Sequence, residues 1–538
     1  MSRERAPRLE KAGSRRPFSY RRHHNEKLSL RMKLLIRAFR TSVAGCKEQE
    51  QGTASLAKDA IKPVILWFRR DLRLDDNQAL NAAHLSGRPI IPLYINEPAA
   101  AGTGPLGAAQ AWWLHHSLEA LDRSLHERQG GLVLASGDAL EVLRAVIKKS
   151  GAEAVFWNRR YDPSGISVDT HIKQELEKQA IEARSFGGQL LHEPSRLMTG
   201  SGTPYRVYTP FWRALEGAGE AEPPLEAPAK LRLAAQRPAS ETLKSWKLLP
   251  TKPDWAKDFT DLWTPGEQGA RERLSAFVED ELKGYKENRD YPAKPATSML
   301  SPHLALGEIS PARIWDATRG LSNRVPAADI VHFRKEIAWR EFSYHLLFHF
   351  PRLASENWND RFDGFKWRND DGDFEAWRRG MTGYPIVDAG MRQLWRHGWM
   401  HNRVRMIVAS FLIKDLMIDW RDGEAWFRDT LVDADPANNA ASWQWVAGSG
   451  ADASPFFRIF NPMLQGETFD PDGDYVRAHV PELQRLGAKY IHRPFEAPKS
   501  ALDEAGIILG QTYPKPIVDH ASARDRALAA YKATKDAA

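Results

Sequence analysis

The sequence predicts an α/β domain with a doubly wound parallel sheet, followed by a large all-α domain. Three observations predict it. Short apolar runs alternate with helical stretches over residues 61–192; a stretch without sustained pattern follows over 193–264; and from about Pro265 to Arg493 the apolar period is helical. At 538 residues and 42% hydrophobic content, the chain can bury a sizeable core.

The first strand is Pro63-Val64-Ile65-Leu66-Trp67-Phe68, an apolar run stopped by Arg69-Arg70-Asp71, as expected of a strand buried on both faces. Pro89–Ile95, Gly131–Ala135 and Ala154–Trp157 repeat the pattern, separated by helical stretches such as Ala108–Gln129 and Ala139–Lys149. Residues 193–264, richer in Pro, Ala and charge, read as an interdomain linker. The helical domain is expected over 265–505, and 506–538 reads as a frayed, partly helical tail. No internal repeat is visible.

Charge is concentrated at the front. Residues 1–60 hold 15 Lys and Arg against 6 Asp and Glu, a net of +9, so the remainder carries −2 of the overall +7. Bulk charge therefore does not argue for a polyanion partner, and any nucleic-acid footprint in the folded part must be a local arginine patch. Residues 1–60 read as a basic, disordered extension with a short basic helix over Leu28–Phe39. A product of an upstream start codon, a solvated tail, a transit peptide and a DNA-binding arm all share this signature. The single cysteine, Cys46, excludes an internal disulfide framework, a cysteine-rich zinc site and a four-cysteine iron–sulfur cluster. No metal site is read from the sequence, and redox chemistry would need a bound organic cofactor. No apolar run approaches the ~20 residues that cross a bilayer, and none suits a secretory signal. The expected location is cytoplasmic, nucleoid-associated in a bacterium, with organelle targeting by the extension left open.

Three segments carry candidate chemistry. Tyr285 is followed by Thr297-Ser298-Met299-Leu300-Ser301-Pro302-His303, where small hydroxyl residues open a helix. Free N–H groups and hydroxyls there could hold a pyrophosphate without a glycine-rich loop, or could simply be N-caps. The other two are Trp399-Met400-His401-Asn402-Arg403-Val404-Arg405-Met406 and Asp433-Ala434-Asp435-Pro436-Ala437-Asn438-Asn439-Ala440-Ala441-Ser442-Trp443-Gln444-Trp445. Eleven of the 19 tryptophans lie beyond residue 300, enough for ordinary packing and equally for a chain of oxidisable indoles.

These residue types, in this order, resemble the DNA photolyase and cryptochrome family, most closely the cyclobutane pyrimidine dimer photolyases. The resemblance runs from Leu66-Trp67-Phe68-Arg69-Arg70-Asp71-Leu72-Arg73 to Arg458-Ile459-Phe460-Asn461-Pro462, nearly all of the chain after residue 60. It implies a Rossmann-like antenna domain and a helical FAD-binding catalytic domain. FAD would be held by Tyr285, Thr297, Ser298, Met299, Leu300, Ser301, Arg405, Asp433, Ala434 and Asp435, with Asn439 facing flavin N5. Arg405 and Asp433 would form a buried ion pair, tolerated where further hydrogen bonds satisfy both charges. Trp367, Trp420 and Trp443 match the family's electron-relay tryptophans.

The resemblance further implies a lesion site beside the flavin. Glu336, in Lys335-Glu336-Ile337-Ala338-Trp339-Arg340, matches a carboxyl that hydrogen-bonds the dimer, and Trp339 and Trp445 supply flat walls. Arg289, Arg340, Arg403 and Arg458 match phosphate and rim contacts, joined by Asn402, Met406 and Gln465. The partner is UV-damaged DNA with a flipped-out dimer, the active cofactor reduced FAD, and the chain a monomer with no membrane association. An antenna chromophore, by analogy a folate such as methenyltetrahydrofolate, is expected in the α/β domain. The lysine that folate-binding relatives carry near Pro351-Arg352-Leu353-Ala354-Ser355 is missing here, so a displaced folate, another flavin or no antenna stay open.

Rival readings separate on single positions. Plant-type cryptochromes carry aspartate where Asn439 stands, and (6-4) photolyases use histidines where Asn402 and Met406 stand. A dinucleotide-binding oxidoreductase would need a glycine-rich turn after the first strand, where Arg69-Arg70-Asp71 stands instead.

Overall fold

The computed structural model describes residues 61–98, 106–453 and 457–536. Five parallel strands, β1 (Val64–Phe68), β2 (Ile90–Asn96), β3 (Val133–Ser136), β4 (Ala154–Asn158) and β5 (Glu182–Phe186), lie in the order β3-β2-β1-β4-β5. Val64 sits opposite Ile90 on one side and Ala154 on the other. The pleat divides β1 between two cores: Leu66 and Phe68 pack with Trp113, while Ile65 and Trp67 pack with Trp157. Both faces are covered, which is why these strands read as unbroken apolar runs.

Helices α1 (Gln78–Leu85), α2 (Ala108–His126), α3 (Ala139–Ser150) and α4 (Pro163–Glu177) provide the crossovers. The side chains of Asn77, Asp138 and Asp162 accept first-turn N–H groups of α1, α3 and α4. The strand-and-helix alternation expected from the sequence is present, with β5 added. Its sequence, Glu-Ala-Arg-Ser-Phe, lacks the apolar run of the inner strands because β5 lies at a sheet edge.

Two expectations are corrected. The stretch read as a linker contains α5 (Tyr208–Gly217), whose Phe211, Trp212 and Leu215 are buried, and it returns to the sheet through a parallel bridge from Leu233 to Ile90. The segment read as a frayed tail ends in a docked helix, His520–Asp536, whose Ala523 and Ala527 are fully buried. Small side chains permit that close approach, and the His520 ring meets the Asp415 carboxylate at 2.6 Å. The basic helix expected over Leu28–Phe39, with the rest of residues 1–60, lies outside the described residues.

The helices that shape the site are α6 (Ser301–Ala305), α7 (Ala327–His349), α8 (Pro385–His397), α9 (Asn402–Ser410), α10 (Trp420–Thr430), α11 (Pro436–Ala447) and α12 (Pro462–Phe469). α7 is almost entirely buried from Ile337 to Leu347 and forms a central pillar. α9 runs into a π-helical turn, Phe411–Asp415, with all five residues buried. α11 starts on Asp435, which accepts from the Ala437 and Asn438 N–H groups, with Pro436 at the first helical position. The α/β and helical parts are keyed together at Gly307, whose φ is +71° and where a Cβ would lie 2.1 Å from the Arg70 carbonyl oxygen. Gln110 of α2 donates to the Ala434 carbonyl at 2.6 Å, and Trp113 donates to Glu308 at 2.9 Å.

Candidate functional site

A cavity of about 330 Å³ opens among α6, α7, α9, α10 and α11. Its lower wall is the segment Thr297-Ser298-Met299-Leu300 leading into α6. The helix begins at Ser301, later than the hydroxyl run suggested. Leu300 offers no side-chain cap, so the Ser301 and His303 N–H groups keep their donor capacity, Pro302 having none. Met299 holds φ at +50°, a left-handed conformation costly for a side-chain-bearing residue and concentrated at functional loops. Arg273 braces the segment by donating to the Ser298 carbonyl at 2.9 Å.

Opposite, Arg405 and Asp433 form the pair expected from the sequence. Nη1 meets Oδ1 at 3.1 Å and Nη2 meets Oδ2 at 2.8 Å, an end-on fork. Asp433 also accepts from the Ser301 hydroxyl at 2.6 Å, which ties α6 to the loop before α11. Next to Ala434, Asp435 is spent on structure, capping α11 and accepting from Tyr344 at 2.6 Å. Asn439 donates through Nδ2 to the Glu424 carbonyl at 3.1 Å and to Glu424 Oε1 at 2.7 Å. Both amide hydrogens are taken, so Asn439 offers the cavity its carbonyl oxygen, an acceptor.

Between these polar ends the wall is apolar, formed by Trp399, Met400, Phe427, Leu431, Trp443 and Val446. An apolar slot with one charged, hydrogen-bonding end and uncapped N–H groups fits a flattened aromatic ring carrying a polar edge and a phosphate. The residues present therefore fit a flavin dinucleotide: the Arg405–Asp433 pair and the Asn439 carbonyl could meet a polar ring edge, and the Thr297–Ser301 segment could meet phosphates.

The mouth is lined by Arg289, Glu336, Trp339, Asn402 and Met406, and Tyr285 lies beneath it. Burial pushes the Tyr285 hydroxyl up in pKa. Burial works against the charge on Arg289, but the Glu336 carboxylate bonded to it, together with Tyr285 and Asp290, outweighs that and holds the guanidinium protonated. Trp339 is stacked on Tyr208 of α5, ring centroids 3.7 Å apart and planes 4° from parallel. His401 caps α9, its Nδ1 accepting from Arg403 N–H at 3.2 Å, and burial lowers its pKa to about 4.

Several expected contacts sit elsewhere. Arg340 is not a rim arginine. It is 7% exposed, donates to the Gln189 carbonyl at 2.9 Å and forms cavity wall, because α7 buries that face against the chain entering residues 189–193. Trp445 and Arg458 line a neighbouring pocket of about 50 Å³ with Lys414, whose pKa burial lowers to about 7. The helix explains the separation: Trp443 and Trp445 are about 200° apart around α11, so only the first faces the main cavity. Arg403 pairs with Asp290 at 2.7 Å and lies over the Phe469 ring, while Gln465 sits on α12; neither lines the main cavity.

Of the expected relay, Trp443 lines the cavity, Trp420 is fully buried and donates to Asn357 at 2.9 Å, and Trp367 packs 4.5 Å from Phe365. Sequence reasoning missed Tyr208, Glu424 and Trp377. Trp377 is fully buried with its ring 6.3 Å from Trp443. Nothing in the local pattern marks these three, since each acts through a partner distant in sequence.

The family described as "DNA photolyase" matches residues 64–229, and that described as "FAD binding domain of DNA photolyase" matches residues 333–533. Deoxyribodipyrimidine photo-lyase of Agrobacterium fabrum is 68% identical over 473 residues, which cover 88% of this chain and 98% of the relative. Cryptochrome-1 of Arabidopsis thaliana is 39% identical over 475 residues, 86% of this chain and 69% of the relative. The crystal structure of a bacterial class III photolyase from Agrobacterium tumefaciens superimposes with a TM-score of 0.86 at 65% identity, covering 92% of this chain and all of that one.

Proposed function

This chain belongs to the DNA photolyase family, and from that premise we propose that it reverts cyclobutane pyrimidine dimers in UV-damaged DNA under blue light, with reduced FAD as electron donor. The observation that carries the reading is one continuous cavity wall joining the polar cradle of Arg405, Asp433 and Asn439 to the mouth formed by Glu336, Arg289 and Trp339. A cofactor held in the cradle and a pyrimidine dimer drawn into the mouth would share one enclosed space.

FAD, when bound, reduced and excited by light, would supply the electron that opens the dimer and is then returned, with no net redox change. The protein's own residues do the rest. Trp339, fixed by stacking on Tyr208, gives an extruded base a flat apolar surface, worth ~1–3 kcal/mol per stacked base. Glu336 hydrogen-bonds the dimer while Arg289 holds its carboxylate in place. Met406, Phe427 and Val446 exclude water. Asn439 accepts a hydrogen bond from the cofactor ring, and Trp443, Trp420 and Trp367 carry electrons inward to restore the reduced state. Extrusion of the damaged nucleotide is the general behaviour of photolyases. Arg403 and Arg458, outside the cavity, belong to the proposed phosphate rim with Gln465, and Trp445, which lines the neighbouring pocket, would extend the lesion wall only beyond the main cavity. The enzyme would act as a cytoplasmic monomer.

A folate antenna, methenyltetrahydrofolate or a relative, belongs to the same proposal. The carboxyl ends of β1, β2 and β4 do not fit it, because the protein's own charges fill that crevice. Arg160 meets Glu97 at 3.0 Å and Asp169 at 3.1 Å, and Arg69 lies over the Trp67 ring and pairs with Asp169.

The deciding experiment illuminates the purified protein with dimer-containing DNA. Light-dependent loss of dimers supports the reading. No loss, with flavin bound and reduced, would transfer the chain to the photoreceptor branch represented by its cryptochrome relatives.

A further inference from the structure

We propose that α2 carries a binding site for one divalent transition cation, zinc being the natural probe, with His115, His116 and Glu119 as ligands. Helix geometry places the three together. Relative to His115, Glu119 lies about 40° and His116 about 100° around the axis, so the carboxylate emerges between the two rings and one helical turn beyond them. Glu119 spans both: Oε1 lies 3.3 Å from His115 Nε2, and Oε2 lies 3.2 Å from His116 Nδ1. The candidate ligand atoms all fall within 4.8 Å of one another. A tetrahedral zinc with bonds of about 2.0–2.1 Å holds neighbouring ligand atoms about 3.3–3.4 Å apart, and each histidine nitrogen lies close to that distance from one of the two Glu119 oxygens, so a small rotation of the carboxylate would bring one oxygen to both. Two imidazoles and a carboxylate, completed by water, form a donor set suited to zinc, nickel, cobalt or copper rather than to calcium or magnesium.

Charge and access support the site. Among the described residues, Glu119 has no lysine or arginine within ion-pair distance; its partners are these two histidines. His115 turns Nε2, and not the buried Nδ1, toward the Glu119 carboxylate, so Nε2 is the ring nitrogen that would meet a cation. Glu119 and His116 are 42% and 30% exposed, which gives a cation a path from solvent. The edge of Trp112 backs His116, with centroids 4.6 Å apart, and steadies its ring.

The position gives the site a consequence. α2 is the helix whose Gln110 donates to the Ala434 carbonyl and whose Ala108 N–H, in the first turn, donates to the Asp429 carboxylate. A cation joining residues 115, 116 and 119 would staple one turn of the helix that braces the cavity floor.

The test uses the flavin-loaded full chain, stripped with a chelator and titrated with zinc alone by calorimetry and with cobalt by its visible absorption. The expected result is one equivalent bound, at least about tenfold weaker in both His116→Ala and Glu119→Gln, with zinc raising the thermal midpoint of the wild type only. Both substitutions are at partly exposed positions, and unchanged flavin content checks that the variants fold. Absence of zinc binding by the wild type would overturn the site, as would binding of equal strength in the wild type and both variants.

Discussion

The guanidinium of Arg289 and the carboxylate of Glu336 are hydrogen-bonded across the cavity mouth, one reaching in from the loop after Asn288 and the other from α7. Their side chains are 12% and 34% exposed, so the pair is shielded on one side and open on the other. Glu336→Ala frees Arg289 and removes the acceptor offered to a dimer, without touching the cradle around Asn439. We expect a repair yield lowered by about tenfold with flavin content unchanged, and a smaller loss for Glu336→Gln, which keeps the shape and one hydrogen-bond acceptor. Repair yield per absorbed photon and flavin absorbance measure the two effects separately. A variant that repairs at the wild-type yield would remove Glu336 from the lesion site.

His401 should make the site acid-sensitive. Its ring is 2% exposed and burial lowers its pKa from 6.5 to about 4, so the folded protein keeps it neutral where the unfolded chain takes up a proton. The unfolded state therefore binds more protons between about pH 6.5 and about pH 4, and the stability contributed by this group, roughly 3 kcal/mol, is complete above that window and lost as pH falls through it. His401→Asn keeps an acceptor for the Arg403 N–H and cannot titrate. The wild type should lose thermal stability relative to this variant between about pH 7.5 and about pH 4.5. Parallel midpoints across that range would show that the cap does not sense protons.

How much could be read before the structure depends on how local each interaction is. The strands β1, β2 and β4 announce themselves because burial on both faces makes their sequence uniformly apolar, whereas the edge strand β5 has no such constraint and stays silent. The Arg405–Asp433 pair was legible through resemblance, and the structure supplies its geometry. Tyr208 could not be found that way: it reaches Trp339 from a stretch that reads as irregular, and only folding brings α5 against α7. That Trp445 lines a separate pocket was hidden for a related reason, since a sequence records order along α11 but not which side of the helix faces the cavity.

Gly423 sets how closely α10 approaches Trp443. A Cβ there would lie 2.2 Å from the indole, which cannot move away because Phe427 and Trp377 flank it. Gly423→Ala should cost about 1–3 kcal/mol through overpacking and should slow light-driven reduction of the flavin by displacing the first relay ring. Trp443→Phe gives the comparison, with slowed photoreduction and no overpacked contact. If Gly423→Ala melts lower yet photoreduces at the wild-type rate, Trp443 does not limit electron entry.

The Arg405–Asp433 fork allows stability to be separated from cofactor binding. The Asp433 side chain is 2% exposed, so Arg405→Ala leaves a buried carboxylate supported only by the Ser301 hydroxyl, at a cost of about 3 kcal/mol or more. Loss of flavin from that variant would be ambiguous, because a weakened fold releases its ligand. Replacing both partners with apolar residues of similar size, Arg405→Met with Asp433→Leu, removes the uncompensated charge and should return the thermal midpoint toward that of the flavin-free wild type. Flavin binding should not return with it, because the cradle has lost its charged donor and acceptor. Absorbance of the purified double variant, read against its melting curve, decides between the two roles: a stable, colourless protein assigns the pair to holding the cofactor, and a stable, yellow one reduces it to a packing contact.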